Sequence, residues 1–302
     1  MIQTVKPKIA VLFAAYNGID WLSEQIESIL NQSDVQITIF ISVDLSTDST
    51  YEACQELSQV YDNIEILKYG ARFGGAGKNF LRLFVDVDFT GFDYISLADQ
   101  DDIWLPTKLI DAINALNANT CDGYSSNVTA FWPDGKTCLI DKAQKQVAYD
   151  FFFEPAGPGC TYVLTNRLAN QFKHFVQENR HDAELVVAHD WLIYAYARFN
   201  NYGWYIDKKP SMLYRQHANN QVGANVNLTA YFKRLKLVKS KWYQGEVFKV
   251  INVLGAKSHP FIKKNLVKGQ VNYNGLALSA FKCRRRLRDK CALLILCIVH
   301  LF

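Results

Sequence analysis

The chain has 302 residues, 49% of them hydrophobic, enough to bury a sizeable core in one large domain or two small ones and to exclude general disorder. A formal charge of +4 is too small to argue for nucleic acid as a partner. The seven cysteines are scattered and lack metal spacing, which fits reduced thiols in a cytosolic protein better than a disulfide framework.

Met1 to Lys8 is short and polar, so no N-terminal signal peptide is expected. The apolar run Ile9 to Ala14 predicts a first strand, broken by Ala15-Tyr16-Asn17-Gly18. A helix follows from about Asp20, with Leu22, Ile26, Ile29 and Leu30 on one face. Gln36 to Asp44 predicts a second strand by its alternating isoleucines, and Ser46-Thr47-Asp48-Ser49-Thr50 caps a helix running to about Tyr61. Ile64 to Lys68 reads as a third strand. The glycine-rich loop Gly70 to Asn79 then opens a helix at about Lys78 to Val87 and lets backbone approach a phosphate or sugar. It lacks Walker spacing.

Tyr94 to Ala98 predicts a fourth strand, buried and apolar, leading into Asp99-Gln100-Asp101-Asp102. Three carboxylates at the carboxyl end of a strand suit a hard cation, Mg²⁺ or Mn²⁺, that shares its oxygen ligands with phosphate. The plain alternative is a solvated acidic loop capping the next helix. Pro106 suits the first turn of that helix. Four strand–helix alternations between Ile9 and Leu116 imply an α/β fold with a mostly parallel central sheet and flanking helices. No Gly-x-Gly-x-x-Gly follows the first strand, which disfavours a dinucleotide site.

The second half differs in texture. Cys121 to Ile140 reads as a hairpin turning at Asp134-Gly135. A Pro/Gly loop at 155–159 precedes a strand from Cys160 to Leu164, and helices follow at about Asn166 to Glu178 and Asp182 to Phe199. Short strands are expected at Trp204 to Ile206 and Met212 to Tyr214, and helix from about Leu228 onward. Lys282, Arg284, Arg285, Arg286, Arg288 and Lys290 precede the apolar tail Ala292 to Val299. The tail is too short to span a bilayer, which takes roughly 20 residues. It reads equally as a surface-lying membrane anchor or as a terminal helix packed on the body.

Several motifs in order resemble glycosyltransferase family 2. They are Ala14-Ala15-Tyr16-Asn17-Gly18, Ser28-Ile29-Leu30-Asn31-Gln32-Ser33, the stretch from Val43 to Thr50, and the stretch from Ala98 to Leu109. Further along, Gly157-Pro158-Gly159-Cys160-Thr161-Tyr162 is similar to the acceptor-side loop of the family and His189-Asp190-Trp191 to the segment carrying its catalytic base. Tyr214 to Gly223 resembles the C-terminal motif of the rhamnosyltransferase-like branch. The chain departs from the usual pattern at Val43, where many relatives carry Asp, and at Leu45, usually Gly.

The resemblance implies a GT-A domain over residues 1–225, with a nucleotide-binding half (8–118) and an acceptor-binding half (119–225), followed by a helical, basic and apolar extension (226–302). It implies an inverting, metal-dependent enzyme. Asp101 would be the direct metal ligand, Asp99 would touch ribose or the metal site, Asp102 would support the loop, and His217 would be a further ligand. Arg215 would neutralise phosphate or pair with a carboxylate. Ala15, Tyr16, Asn17, Asp44, Arg72, Lys78, Asn79 and Gln100 would form the donor site, with Tyr16 stacking on the base and Asp44 accepting its imide N–H. Asp190 would take the acceptor proton, its plain alternative being a helix cap. Gly159, Cys160 and Trp191 would line the acceptor side, although core packing is the default for a tryptophan.

The leading expectation is rhamnose transfer from dTDP-rhamnose to a lipid-linked or growing cell-surface polysaccharide such as an O-antigen, at the inner face of the cytoplasmic membrane. The alternatives are a UDP-hexose donor, an inactive nucleotide-sugar or glycan-binding protein, and a nucleotidyltransferase.

Overall fold

The computed structural model describes residues 5–217, 241–267 and 269–302. Residues 218–223 of the C-terminal motif and 226–240 of the expected extension lie outside the described residues. Strands β1 (Lys8–Ala15), β2 (Gln36–Val43), β3 (Ile64–Ile66) and β4 (Tyr94–Asp99) are connected by helices α1 (Ile19–Leu30), α2 (Thr50–Val60) and α3 (Ala76–Asp86). They pair in parallel, β1 lying between β2 and β4. The register sets Ala15 opposite Val43 and Ala14 opposite Asp99, so three strands end together on one edge. Crevices at such carboxyl edges are where open α/β sheets bind ligands.

Residues 9–15 of β1 are all buried because helices cover both faces of the sheet. Alternate side chains feed two cores. Val11 and Phe13 join Leu22, Ile26 and Ile29 of α1, and Leu109 and Ile113 of α4 (Lys108–Asn119). Leu12 and Ala14 join Phe80 and Phe84 of α3 on the other side.

The chain continues through β5 (Ile103–Trp104), β6 (Gly123–Ser126), β7 (Val128–Phe131), β8 (Thr137–Ile140), β9 (Val163–Thr165), α5 (Asn166–Glu178), α6 (Arg180–Leu185), α7 (His189–Phe199), β10 (Trp204–Asp207) and β11 (Met212–Arg215). The main sheet has the order β10-β6-β9-β4-β1-β2-β3, and β9 alone runs antiparallel to its neighbours. A second sheet, β5-β11-β7-β8, brings Arg215 beside Phe131.

Three expectations need correction. The hairpin is confined to β7 and β8, with Gly135 at φ +80° in the turn, while Gly123–Ser126 joins the main sheet. The strand expected from Cys160 begins instead as a 3₁₀ turn, Gly159–Thr161, closed by the Thr161 N–H donating to Pro158 O and the Tyr162 N–H donating to Gly159 O. The helix expected from Asp182 to Phe199 is two helices broken at 186–188. Tertiary contacts cause the break. The Val187 N–H donates to Glu246 Oε2 at 3.1 Å, and the Val187 carbonyl presses so close to Gly77 that a Cβ there would sit 2.5 Å from it. The break makes Asp190 a first-turn residue of α7 rather than a mid-helix one.

Helices α8 (Trp242–Val253), α9 (Pro260–Asn265), α10 (Tyr273–Cys283) and α11 (Leu287–Ile298) share the α3–α7 core through Val247, Phe261, Leu276 and Leu293. The basic run does not face outward as a block. Arg285 is buried, donating to Asp150 Oδ2 at 3.0 Å, while Arg284 donates to Phe153 O at 2.9 Å and Arg286 to Asp141 O at 2.6 Å. Among the described residues no helix is long and apolar enough to cross a membrane.

Candidate active site

One face of α1 holds the acidic loop by its backbone. Gln25 Nε2 donates to Asp99 O at 3.0 Å, Ser28 Oγ accepts from Trp104 N at 3.0 Å, and Gln32 Nε2 donates to Leu105 O at 2.8 Å. Gln100 returns to the first strand end, accepting from Tyr16 N at 2.7 Å and donating to Tyr16 O at 2.8 Å. The loop backbone is thus satisfied from below, which leaves its carboxylates for other partners.

Those carboxylates form two groups. Asp101 Oδ2 lies 2.7 Å from His217 Nε2. Arg215 Nε donates to Asp101 O at 2.9 Å, its backbone N–H donates to Asp102 Oδ1 at 3.3 Å, and its guanidinium pairs with Glu24. Beneath them, ligand atoms of Asp99, Asp102 and Cys160 lie within 4.8 Å of one another. Burial, then the charges of Asp101 and Asp190, push Asp99 up to about 7. Asp102 is pushed well above the usual carboxylate range by burial and by Asp101 and Asp99. The buried ammonium of Lys108 sits behind this group, 3.3 Å from Ser96 Oγ and 3.5 Å from the centre of the Trp104 ring. Burial lowers it to about 7 against the pull of Cys160 and Asp102.

The Asp99 and Asp102 carboxylates, close enough to share one ion, fit a divalent cation. Crowded carboxylates that resist ionising together are what such an ion relieves. Asp102 Oδ2 is buried with no hydrogen-bond partner among the described residues. Carboxylate oxygens and an imidazole suit Mn²⁺ or Mg²⁺ better than the Cys160 thiol does, and burial pushes that thiol far up and keeps it protonated.

Near Asp99, Asp190 Oδ1 accepts from Trp191 N at 2.7 Å in the first turn of α7. Burial raises this carboxyl to about 6. The 3₁₀ turn packs against it: a Cβ on Gly159 would meet His189 Nε2 at 2.6 Å and Asp190 Cβ at 3.1 Å. His189 stacks on Phe80 at 4.2 Å and is held neutral by burial, which lowers it to about 3.

The donor-side residues separate by role. Asp44 is buried, and its oxygens accept from Leu45 N, Phe73 N and Gly74 N at 2.8 to 2.9 Å, tying the glycine-rich loop to β2. Asn17, at φ +45°, exchanges side-chain hydrogen bonds with Thr47. Ala15 is buried at the end of β1, while Tyr16, the next residue, is 44% exposed, and Arg72 and Lys78 are exposed. Asn79 is buried, its Nδ2 donating to Ser42 O at 2.8 Å and its Oδ1 accepting from Ser42 Oγ, so it braces α3 on β2 rather than facing a diphosphate. Trp191 is likewise core, donating to Phe151 O at 2.9 Å, and Cys160 is fully buried behind the carboxylates.

Sequence reasoning passed over three contributors: the α1 stripe, Lys108 and Gly77. The spacing of Gln25, Ser28 and Gln32, three polar residues beside the apolar face of a helix, was the available signal for the first. Lys108 lies inside the family-like stretch Ala98 to Leu109 and Gly77 inside the glycine-rich loop, but neither pattern by itself gives them a role.

Comparisons with known proteins bear on this geometry. Residues 10–151 match the family described as glycosyl transferase family 2. The chain is 50% identical to the dTDP-rhamnosyl transferase RfbG of Shigella flexneri, over 96% of this chain and 100% of that one. It is 24% identical to the UDP-Glc:alpha-D-GlcNAc-diphosphoundecaprenol beta-1,3-glucosyltransferase WfgD of Escherichia coli, over 54% and 63% of the two chains. Among solved structures it resembles residues 1–349 of S. aureus TarS in complex with UDP, with a TM-score of 0.53 at 15% identity, covering 96% of this chain and 81% of that one. At that identity the likeness concerns the fold alone.

Proposed function

The chain belongs to glycosyltransferase family 2 and has the GT-A fold, and from that premise we propose that it transfers rhamnose, with inversion, from dTDP-rhamnose to a hydroxyl of a lipid-linked or growing cell-surface polysaccharide. The observation that carries the donor assignment is the 50% identity to a dTDP-rhamnosyl transferase across nearly the whole of both chains. The acceptor assignment is supported by the more distant relative whose name specifies a diphosphoundecaprenol-linked sugar.

The site residues divide the chemistry. A bound Mn²⁺ or Mg²⁺ would neutralise the leaving diphosphate, and Asp101, Asp99 and His217 would hold it. Asp190 removes the acceptor proton as the hydroxyl attacks the anomeric carbon from the face opposite the diphosphate. One base and one displacement give inversion. Burial suits Asp190 to the task, because a carboxylate at about 6 is a stronger base than an ordinary one yet is still ionised at neutral pH. Tyr16 offers a ring to the nucleobase, and exposed Arg72 and Lys78 offer cations to the diphosphate.

The enzyme works at the inner face of the cytoplasmic membrane, held peripherally. Residues 241–302 carry twelve Lys and Arg against two Asp and Glu, although the whole chain is only +4. On α10 and α11, Leu278, Phe281, Leu287, Ile295 and Ile298 are exposed beside exposed Lys282 and Arg288. Exposed apolar side chains rimmed by cations match an anionic lipid surface. The test is incubation of the protein with dTDP-rhamnose and a lipid extract of its source cells. A lipid-linked glycan heavier by one deoxyhexose is expected, and consumption of the donor with every lipid-linked glycan unchanged would contradict the acceptor assignment.

A further inference from the structure

We propose that Trp21 is a positioning residue of the metal site, its indole setting the plane of the His217 imidazole so that Nε2 meets Asp101. The inference rests on the reading of Asp101 and His217 as metal ligands and adds a residue that the motifs do not contain.

Trp21 is a large aromatic side chain that belongs to neither hydrophobic core of the protein. It is half-buried in the first turn of α1. Its ring lies 4.0 Å from the His217 ring at 21°, a stacked arrangement. Its ring packs on the imidazole rather than into either core, and aromatic pairs of this kind have a preferred geometry.

The stacking bears on His217, a residue at the sheet's end. It lies two residues beyond the end of β11, and the Gln216 N–H donating to Phe131 O at 2.9 Å is the adjoining backbone tie to that sheet. An imidazole so placed can rotate about two bonds. The contact of Nε2 with Asp101 Oδ2 at 2.7 Å holds one edge of the ring. The indole face fixes the plane. A ligand whose ring orientation is set beforehand loses less entropy when it binds an ion, and outer partners of this kind typically carry about 10- to 100-fold in metal affinity.

The same helix locates the rest of the site. Glu24, one residue short of a turn beyond Trp21, pairs with Arg215, and Gln25 donates to Asp99 O at 3.0 Å. Arg215 in turn donates to Asp101 O. Trp21, Glu24 and Gln25 therefore register three segments against each other: the acidic loop, the end of β11 and α1 itself. Trp21 acts on the ligand, whereas the other two act on backbone or on Arg215.

The experiment is Mn²⁺ titration of the full-length protein with dTDP present, followed by electron paramagnetic resonance, for the parent, Trp21→Leu, Trp21→Phe, His217→Ala and the Trp21→Leu/His217→Ala double variant. Trp21→Leu should weaken Mn²⁺ binding about 10-fold, with an altered Mn²⁺ spectrum, and Trp21→Phe should restore most of the affinity. The double variant should bind no more weakly than His217→Ala alone, since the two residues act as one unit. A merely structural role for Trp21 predicts additive losses instead. Parent-like affinity in Trp21→Leu while His217→Ala is weakened would overturn the positioning role and leave the metal site standing. Parent-like affinity in His217→Ala would overturn the underlying ligand reading, and the role of Trp21 with it.

Discussion

The side-chain amide of Gln100 pairs with the backbone of Tyr16 at both its N–H and its carbonyl, at 2.7 and 2.8 Å. The acidic loop and the first strand end, 84 residues apart, thereby move as one piece. Gly18 permits the approach, since a Cβ there would meet Gln100 at 2.1 Å.

Gln100→Glu keeps an acceptor for the Tyr16 N–H but sets a carboxylate against the Tyr16 carbonyl. We expect the donor KM to rise roughly 10-fold, about 1.4 kcal/mol, with kcat largely held, because the lost hydrogen bond orders the nucleotide side and not the reacting atoms. Steady-state kinetics with varied donor check this. A fall in kcat at unchanged KM would place Gln100 at the chemistry instead.

Asp190→Asn should retain donor binding and lower turnover by roughly 10²–10⁴, the usual scale for a lost general base. The parent should show a matching pH dependence. A base acts only when deprotonated, and burial raises Asp190 to about 6, so the rate should fall as pH drops through about 6 rather than through about 4. Saturating Mn²⁺ keeps the Asp99 carboxylate, itself raised to about 7, out of this profile by favouring its ionised form. A rate that is flat between pH 7 and pH 5 would argue against Asp190 as the base.

Asn79→Ala separates bracing from donor contact. The side chain is buried and spent on Ser42, so its removal takes one donor from the Ser42 carbonyl and leaves the Ser42 hydroxyl with Arg82 as its partner. A loss of about 1–3 kcal/mol in unfolding free energy is expected, with donor affinity nearly unchanged in the folded fraction. Denaturant melts and donor titration on the same sample give both numbers. Unaltered stability with weakened donor binding would return Asn79 to the diphosphate.

Leu278 is 90% exposed, so Leu278→Glu removes no core contact. Paired with Ile295→Glu on α11, it should leave the melting temperature within a few degrees and weaken sedimentation with anionic vesicles about 10-fold or more. Vesicle binding equal to that of the parent would place the membrane contact elsewhere or remove it.

Much of this architecture was legible in the residues. The strands β1, β2 and β4 could be read because helices cover both faces of the sheet, which makes their sequences continuously apolar or β-branched. The α6–α7 break was not legible, because Asp182 to Phe199 carries unbroken helical texture and the interruption comes from Glu246 and Gly77, contacts remote in sequence. The family-like motifs implied roles for the acidic cluster and for Asp190, and the fold places Asp190 near enough to Asp99 for its charge to raise that carboxyl. The same resemblance implied ligand contact for Asn79, Trp191 and Cys160, all three buried; a motif records which residues recur together and not which way they face. The basic segment before the tail reads equally as part of a membrane anchor or of a packed terminal helix; Arg284 and Arg285 hold the C-terminal helices to the loop at 150–155 through Phe153, Asp150 and Pro155, and Arg286 donates to Asp141 O. Charge alone does not distinguish a solvated arginine from one that has a buried carboxylate to meet.

The most direct test of the account is nucleotide release by the purified protein from a panel of dTDP- and UDP-sugars, each with Mn²⁺, with Mg²⁺ and with chelator, alongside Asp101→Asn. The account predicts dTDP release from dTDP-rhamnose that requires the divalent ion and is lost in the variant, whose circular dichroism matches the parent. Turnover that persists in chelator, or full activity of Asp101→Asn, would contradict the metal assignment, and preferential turnover of a UDP-hexose would contradict the donor.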